Sequence, residues 1–298
     1  MSPRALVVGE ALVDVTRTPD GAVAEHPGGS PLNVAVTMGR QGIDTTLAAQ
    51  VGDDHFGALI RDHLDRSGVT LLDVGPSGST ASATAMIDAG GAATYEFDLH
   101  WEPDHLPDPA DFDLVHVGSI GAWMEPGANA VADLVRRAHA QGQAVGFDPN
   151  IRPTLGPPVP VLRQRVFDLA ASSRFVKLSD EDASVLADGS GDPESVLGSL
   201  ATAGPALAAM TRGDDSVVLC SGDHEVEVPV PTVSVADTIG AGDTWMGTLL
   251  AELVRQGWVD RTEFSADELR ELGEAAVRAS AITVSRPGAD PPWRRELL

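Results

Sequence analysis

The stretch DTIGAGD sets two carboxylates, Asp237 and Asp243, on either side of Gly240-Ala241-Gly242. The residues that follow, TWMGTLLAELVRQG, put Trp245, Leu249 and Leu253 on one stripe, so a helix is expected to start at the glycines. Backbone N–H groups in a first helical turn have no intrahelical partner and stand at the positive end of the dipole. Small residues let an anion approach them closely. An acid beside that anion is repelled, unless its task is to take a proton. Asp243 falls in the first turn, where it suits a general base that removes the proton of a hydroxyl attacking phosphorus. Asp237 lies upstream and suits ordering of the loop or of a cation. The same residues also fit an ordinary Gly-rich turn with an acid in the first turn, a position that acids favour anyway.

Positioning such a turn takes a scaffold, and the chain reads as alternating strands and helices. ALVVG, TTLAAQVG, DLVHVG, AVGFD, RFVKLS and ALAAMTRG read as strands. SPLNVAVTMGRQG reads as a helix with Ser30 at the N-cap, Pro31 in the first turn and Gly42 as the stop. DDHFGALIRDHLDRSG reads as a helix with Phe56, Ile60 and Leu64 on one face, and GANAVADLVRRAHAQG as another. This alternation implies a mostly parallel sheet covered on both faces. Two early regions depart from it. ALVDVTRTPDGAVAEH turns at Pro19-Asp20-Gly21, and ASATAMIDAGGAATYEFDL turns at Gly90-Gly91. Both read as β-hairpins with no helix near them. Inserted at about 12–27 and 80–101 in a single domain of 298 residues, they suggest a small β lid. Its apolar face stays exposed unless it closes over a ligand or meets another subunit.

Composition narrows the function classes. Net charge is −24, which argues against nucleic acid and anionic membranes. An anionic substrate then needs local positive potential, and Lys177 is the chain's one lysine beside its arginines. The start MSPRALVVGE passes from one arginine straight into a strand-like run, unlike a signal peptide. The longest apolar runs fall short of the roughly 20 residues of a membrane span, so a soluble cytoplasmic protein is expected. The one cysteine, Cys220 in SVVLCSG, reads as a small buried residue of a strand, and no Cys/His metal cluster is present. GxxxxGK[ST] is absent, which excludes a P-loop enzyme. VVGEALVDV lacks the G-x-G-x-x-G of a dinucleotide-binding oxidoreductase.

DTIGAGDTWMG resembles the C-terminal signature of the ribokinase-like (PfkB) carbohydrate kinases, and PGGSPLNVAVTMGRQG resembles the N-terminal signature of the same family. VGDDHFG, FDPNIRP, VKLSDED, MTRG and ITVSRPGADPP are similar to further family segments in the family's order, so the resemblance spans nearly the whole chain. It implies a three-layer α/β/α fold with a β lid, and a sugar kinase that uses ATP and Mg²⁺. In that pattern Asp243 is the catalytic base, and Gly240, Ala241 and Gly242 form the anion hole. Asp14, Gly29 and Asn33 contact the sugar. Asn150 and Arg152 face the phosphates, where arginine offers a fork of donors to a charged transition state. Thr211, Arg212 and Gly213 match the nucleotide segment, and Lys177 matches a lysine of fructokinase-like members.

Two departures bear on cations. The family's N-x-x-E appears as Ser179-Asp180-Glu181-Asp182, which leaves Asp182 to order hydrated Mg²⁺. The resemblance also implies a potassium site at Asp237 and Ile239 with carbonyls of Thr283, Arg286 and Gly288, although Pro292 stands where a serine is often seen. The segments look more like bacterial fructokinases than ribokinases, so fructose is the expected acceptor. 2-Keto-3-deoxygluconate, ribose, nucleosides and other hexoses stay open, as does a non-catalytic binding module. Tyr95, Phe97, His100 and Trp101 of the lid either stack on a sugar, pack the lid, or join two subunits as a homodimer.

Overall fold

The computed structural model describes residues 3–76, 78–88, 90, 92–187 and 191–298. In chain order the strands are β1 (Arg4–Val8), β2 (Leu12–Arg17), β3 (Val23–Gly28), β4 (Asp44–Ala49), β5 (Val69–Asp73), β6 (Ala81–Ile87), β7 (Ala93–Asp98), β8 (Leu114–Gly118), β9 (Ala144–Asp148), β10 (Phe175–Ser179), β11 (Leu207–Arg212), β12 (Ser216–Ser221) and β13 (His224–Pro229). The helices are α1 (Ser30–Arg40), α2 (His55–Arg66), α3 (Ser119–Trp123), α4 (Gly127–Ala140), α5 (Val159–Ala171), α6 (Asp180–Leu186), α7 (Pro193–Ala201), α8 (Ala241–Gln256) and α9 (Ala266–Val284).

Among the described residues the main sheet runs β13-β12-β11-β10-β9-β8-β1-β4-β5, parallel from β11 to β5 and closed by the antiparallel β12 and β13. Strand side chains alternate between faces, and both faces are dry. Ala5 and Val7 of β1 join one apolar core with α1, α2, α8 and α9, while Leu6 and Val8 join a second core with α4, α5, α6 and α7. That double burial gives three layers. It also explains why the parallel strands read as continuous apolar runs.

β2, β3, β6 and β7 make a separate four-stranded sheet in the order β3-β2-β6-β7. β2–β3 and β6–β7 are antiparallel hairpins, joined by a parallel β2–β6 pairing. Of the expected Gly90-Gly91 turn, Gly91 lies outside the described residues. The lid strands end at Asp98. Trp101 lies beyond them, fully buried in the second core, with its indole N–H donated to Gly121 O at 3.1 Å. It therefore faces neither sugar nor solvent. His100 is tied to the Ser79 carbonyl at 2.7 Å.

Two local expectations need correction. Gly29, with φ of 103°, occupies the N-cap of α1, and Ser30 is the first helical residue, its hydroxyl used elsewhere. Cys220 lies in β12 as expected but is only half-buried, beside Glu225.

Candidate active site

The parallel strands deliver their carboxyl ends to one edge of the sheet, and the order reverses between β1 and β8. Crevices open at such a switch point. A cavity of about 980 Å³ lies there, walled by the strand ends, the start of α8 and the lid. Most residues singled out in the sequence reach its wall: Asp14, Gly29, Asn33, Arg152, Lys177, Asp182, Thr211, Gly213, Ile239, and Gly240 to Asp243.

Helix α8 starts as the glycines require. Gly240 caps it in the left-handed region with φ of 75°, and a Cβ there would meet the Ala289 Cβ at 2.7 Å. Asp243 sits in the first turn, 8% exposed. Its carboxylate is held from two directions. Ser30 Oγ donates to Oδ1 at 2.6 Å, and Asn33 Nδ2 donates to Oδ2 at 2.8 Å. Asn150 Nδ2 approaches Oδ1 at 3.5 Å. Helix α1 thus supplies both of the close donors that hold Asp243. Asn33, expected to touch sugar, is bonded to this carboxylate, and Ser30, expected to cap a helix, is a site residue.

On the lid side Asp14 stands in register with Ala83, and Ala83 with Phe97. Ala83 is small, so the Phe97 ring flanks the cavity in the same row as Asp14. Tyr95 stacks on Phe97 with centroids 6.1 Å apart. Burial raises the Asp14 pKa above the usual carboxylate range, against the pull of His26 and Arg152. Arg152 donates to Asn150 Oδ1 at 2.7 Å and to the Ile151 carbonyl at 3.1 Å.

On the far side Thr211 and Gly213 line the cavity, but Arg212 does not; its guanidinium is paired with Glu194 at 2.7 Å and Glu227 at 2.8 Å. Asp182 forms the capping box of α6 with Ser179, and its Oδ1 accepts Ile151 N–H at 2.7 Å. Both its oxygens are engaged, while Asp180 and Glu181 also reach the wall. Asp237 bridges two loops, accepting Ile239 N–H and Gly288 N–H, each at 3.0 Å. The Thr283 hydroxyl meets Thr244, and the Arg286 guanidinium turns to Asp290 and Glu296. Among the described residues no group of three or more His, Cys, Asp or Glu is arranged to hold a metal.

Two acids at the site had no assigned role in the sequence reading. Glu10 lies just past β1 at the switch point, buried, accepting Gly121 N–H at 3.0 Å. Burial pushes its pKa up to about 7. Asp148 ends β9, fully buried, with Oδ2 at 3.0 Å from Lys177 Nζ. The usable signal for both was an acid at the carboxyl end of a buried parallel strand.

A carboxylate held at a helix N-terminus in a cleft opposite a β lid, on a doubly wound α/β sheet, is an arrangement suited to phosphoryl transfer. A family model described as "pfkB family carbohydrate kinase" matches residues 2–295. The chain belongs to the pfkB family of carbohydrate kinases and is a sugar kinase. It is 30% identical to the fructokinase of Klebsiella pneumoniae over 97% of this chain and 98% of that protein. The Xylella fastidiosa fructokinase with bound ATP superposes with a TM-score of 0.83 at 26% identity, over 97% of this chain and 94% of that one. The Vibrio cholerae fructokinase bound to fructose, ADP and calcium superposes with a TM-score of 0.80 at 25% identity, over 96% and 94%.

Proposed function

We propose that the protein phosphorylates fructose with ATP by in-line transfer, with Asp243 as general base. The observation that carries this reading is the Asp243 carboxylate: it lies in the first turn of α8 and lines one cavity together with Asp14, Thr211 and Gly213. An acceptor hydroxyl held by Asp14, Gly29 and Asn33 meets Asp243 on one side and a phosphoryl group at Gly240, Ala241 and Gly242 on the other. As the oxygen attacks, its proton passes to Asp243. The backbone N–H groups of the turn hold the charge on the phosphoryl oxygens. Arg152 and Lys177 add positive potential, and Thr211 and Gly213 carry the nucleotide. Fructose is favoured as acceptor because the K. pneumoniae relative, a fructokinase, matches from end to end.

The acids at the start of α6 suit Mg²⁺, a hard ion that takes oxygen ligands and keeps much of its water. Asp182 would hold it through water, with Asp180 and Glu181 beside it. When bound it neutralises phosphate charge. Asp237 ties together the loops of Ile239 and Gly288, and with Thr283 and Arg286 carbonyls these offer an oxygen-only setting that suits K⁺. The lid's exposed apolar residues support a homodimer formed through it. An ATP-driven reaction of this kind belongs in the cytoplasm.

The test is ADP release with Mg-ATP against fructose, 2-keto-3-deoxygluconate, ribose, adenosine, glucose and fructose 6-phosphate. Turnover highest with fructose is expected, and preference for another member would replace the acceptor. Asp243→Asn is expected to keep ATP affinity and to lose about 10²–10⁴-fold in kcat. A variant with near-normal kcat would sink Asp243 as base.

A further inference from the structure

The cavity wall carries an excess of negative charge. Among the described residues Glu10, Asp14, Asp180, Glu181, Asp182 and Asp243 reach it, against two cations, Arg152 and Lys177. A nucleotide phosphate entering this space meets repulsion that positive charge at the transfer point must offset. The two cations differ in placement. Arg152 is exposed and its guanidinium is bound back onto its own loop. Lys177 is 4% exposed and sits under the start of α8.

Its position is set by one ion pair and by the room beside the turn. Nζ lies 3.0 Å from Asp148 Oδ2, and Asp148 is wholly buried with its Oδ1 unpartnered among the described residues. On the other side, a Cβ built on Gly242 would come within 2.9 Å of the same Nζ. Glycine leaves the ammonium its place against the turn, and a side chain there would displace it. Burial alone would pull the Lys177 pKa down, but Asp148, Asp182 and Asp243 outweigh that and hold it above its ordinary value. His116, packed nearby, adds no charge, because burial pulls its pKa down to about 3. An ammonium has three protons, and Asp148 takes one, which leaves donors for an oxygen bound at the turn. It is also compact, where a guanidinium fork would need more space.

We propose that Lys177 is a catalytic residue whose ammonium completes the anion hole of Gly240, Ala241 and Gly242 and bonds to the phosphoryl group in transfer, with Asp148 as the positioning residue behind it. This rests on the reading of the cavity as a site of phosphoryl transfer from ATP. In that step the acceptor oxygen bonds to the γ-phosphorus and gives its proton to Asp243. The bond from that phosphorus to the β–γ bridging oxygen breaks, and ADP leaves with the electron pair. Lys177 faces the group that moves, so its contact is strongest in the transition state and weak to ADP.

The experiment is steady-state kinetics with ATP and fructose, or whichever panel sugar turns over, together with calorimetric titration of ATP and ADP. Lys177→Met is expected to lower kcat about 10²–10³-fold, the scale of losing one donor to the developing charge. KM for the sugar and the affinity for ADP should stay within about threefold of the wild type, a change small against the tenfold that 1.4 kcal/mol represents. Ethylammonium added to Lys177→Ala should restore part of kcat. Removing the lysine strands a buried Asp148, so folding is guarded by a second variant, Lys177→Gln with Asp148→Asn, in which two amides can pair. The same kcat loss is expected there, with a wild-type melting profile. Wild-type kcat in either variant, or equal loss of ATP and ADP affinity with kcat unchanged, would overturn the proposal. A wild-type enzyme that turns over nothing would mark failure of the transfer reading instead. The ATP-against-ADP affinity ratio of wild type and Lys177→Met then still decides whether Lys177 touches the terminal phosphate, and an unchanged ratio overturns it.

Discussion

Glu10 is a carboxyl group in a place that disfavours its charge. It is buried at the switch point, where hydrogen bonds from the Ser119 side chain and from backbone N–H groups, Gly121's among them, only partly offset that burial. Its pKa rises from 4.5 to about 7 through desolvation. The sign of the linkage follows from that direction. Between pH 4.5 and 7 the unfolded chain has lost this proton and the folded chain has kept it. Stability from this group is therefore full below pH 4.5, falls as pH rises, and levels off above about 7. Each pKa unit is worth about 1.4 kcal/mol, so the loss is on the order of 3 kcal/mol. Glu10→Gln keeps the shape and an oxygen for Gly121 while removing the charge. Urea melts should show the variant gaining on the wild type by about that amount from pH 4.5 to above 7. Parallel pH curves would show that Glu10 does not titrate in this window. Residues such as this were the least legible in the sequence. Ser30 and Asp243 are 213 positions apart, and a serine before Pro-Leu reads as a cap whatever lies opposite. Only the docking of α1 against α8 turns it into a hydrogen-bond donor for the Asp243 carboxylate.

At the scale of elements, the start of α8 was legible because its constraint is local. Gly-Ala-Gly-Asp followed by an apolar stripe encodes a cap, a close approach and a helix without long-range knowledge. The two glycines nonetheless do different work, and substitution separates them. Gly240 has φ of 75°, and an added Cβ meets Ala289 at 2.7 Å. Gly240→Ala should destabilise by about 1–2 kcal/mol from the left-handed backbone, with the clash added. Gly242 is helical, so alanine there gains roughly 1 kcal/mol of propensity. Its Cβ instead meets the movable tip of Lys177 at 2.9 Å. Gly242→Ala should therefore melt no lower than the wild type and, if the proposed role of Lys177 holds, lose kcat at least tenfold, since the ammonium is pushed from the turn. Thermal melts and kinetics on the pair check this; a Gly242→Ala enzyme with full kcat would contradict the crowding argument. The sheet was legible for a similar reason, because strands buried on both faces must be apolar throughout. Trp101 was not, since an aromatic residue three positions past a lid strand carries no mark of which body it packs against.

For the whole molecule, the open matter is what the lid meets. Val23, Met86, Tyr95 and Phe97 are large apolar residues, each at least 39% exposed, and all four belong to the lid sheet. Its outer strands, β3 and β7, present edges with no neighbour in the sheet among the described residues. A strand edge and an aromatic row open to water invite pairing. A second copy of the chain would cover them, and with net charge −24 on each copy that contact must be apolar. Sedimentation should then give twice the chain mass at micromolar concentration, and rising salt should tighten the dimer by screening repulsion. Tyr95 is the chain's one tyrosine, so fluorotyrosine labelling yields a single ¹⁹F resonance that reports on the lid alone. In a dimer that resonance should shift and sharpen on dilution as the ring returns to water. Tyr95→Glu with Phe97→Ser should give monomers and raise the sugar KM, because the same row flanks the Asp14 side of the cavity. A wild type that sediments as one chain, with a resonance indifferent to dilution and moved only by sugar, would assign the row to substrate closure and not to a partner.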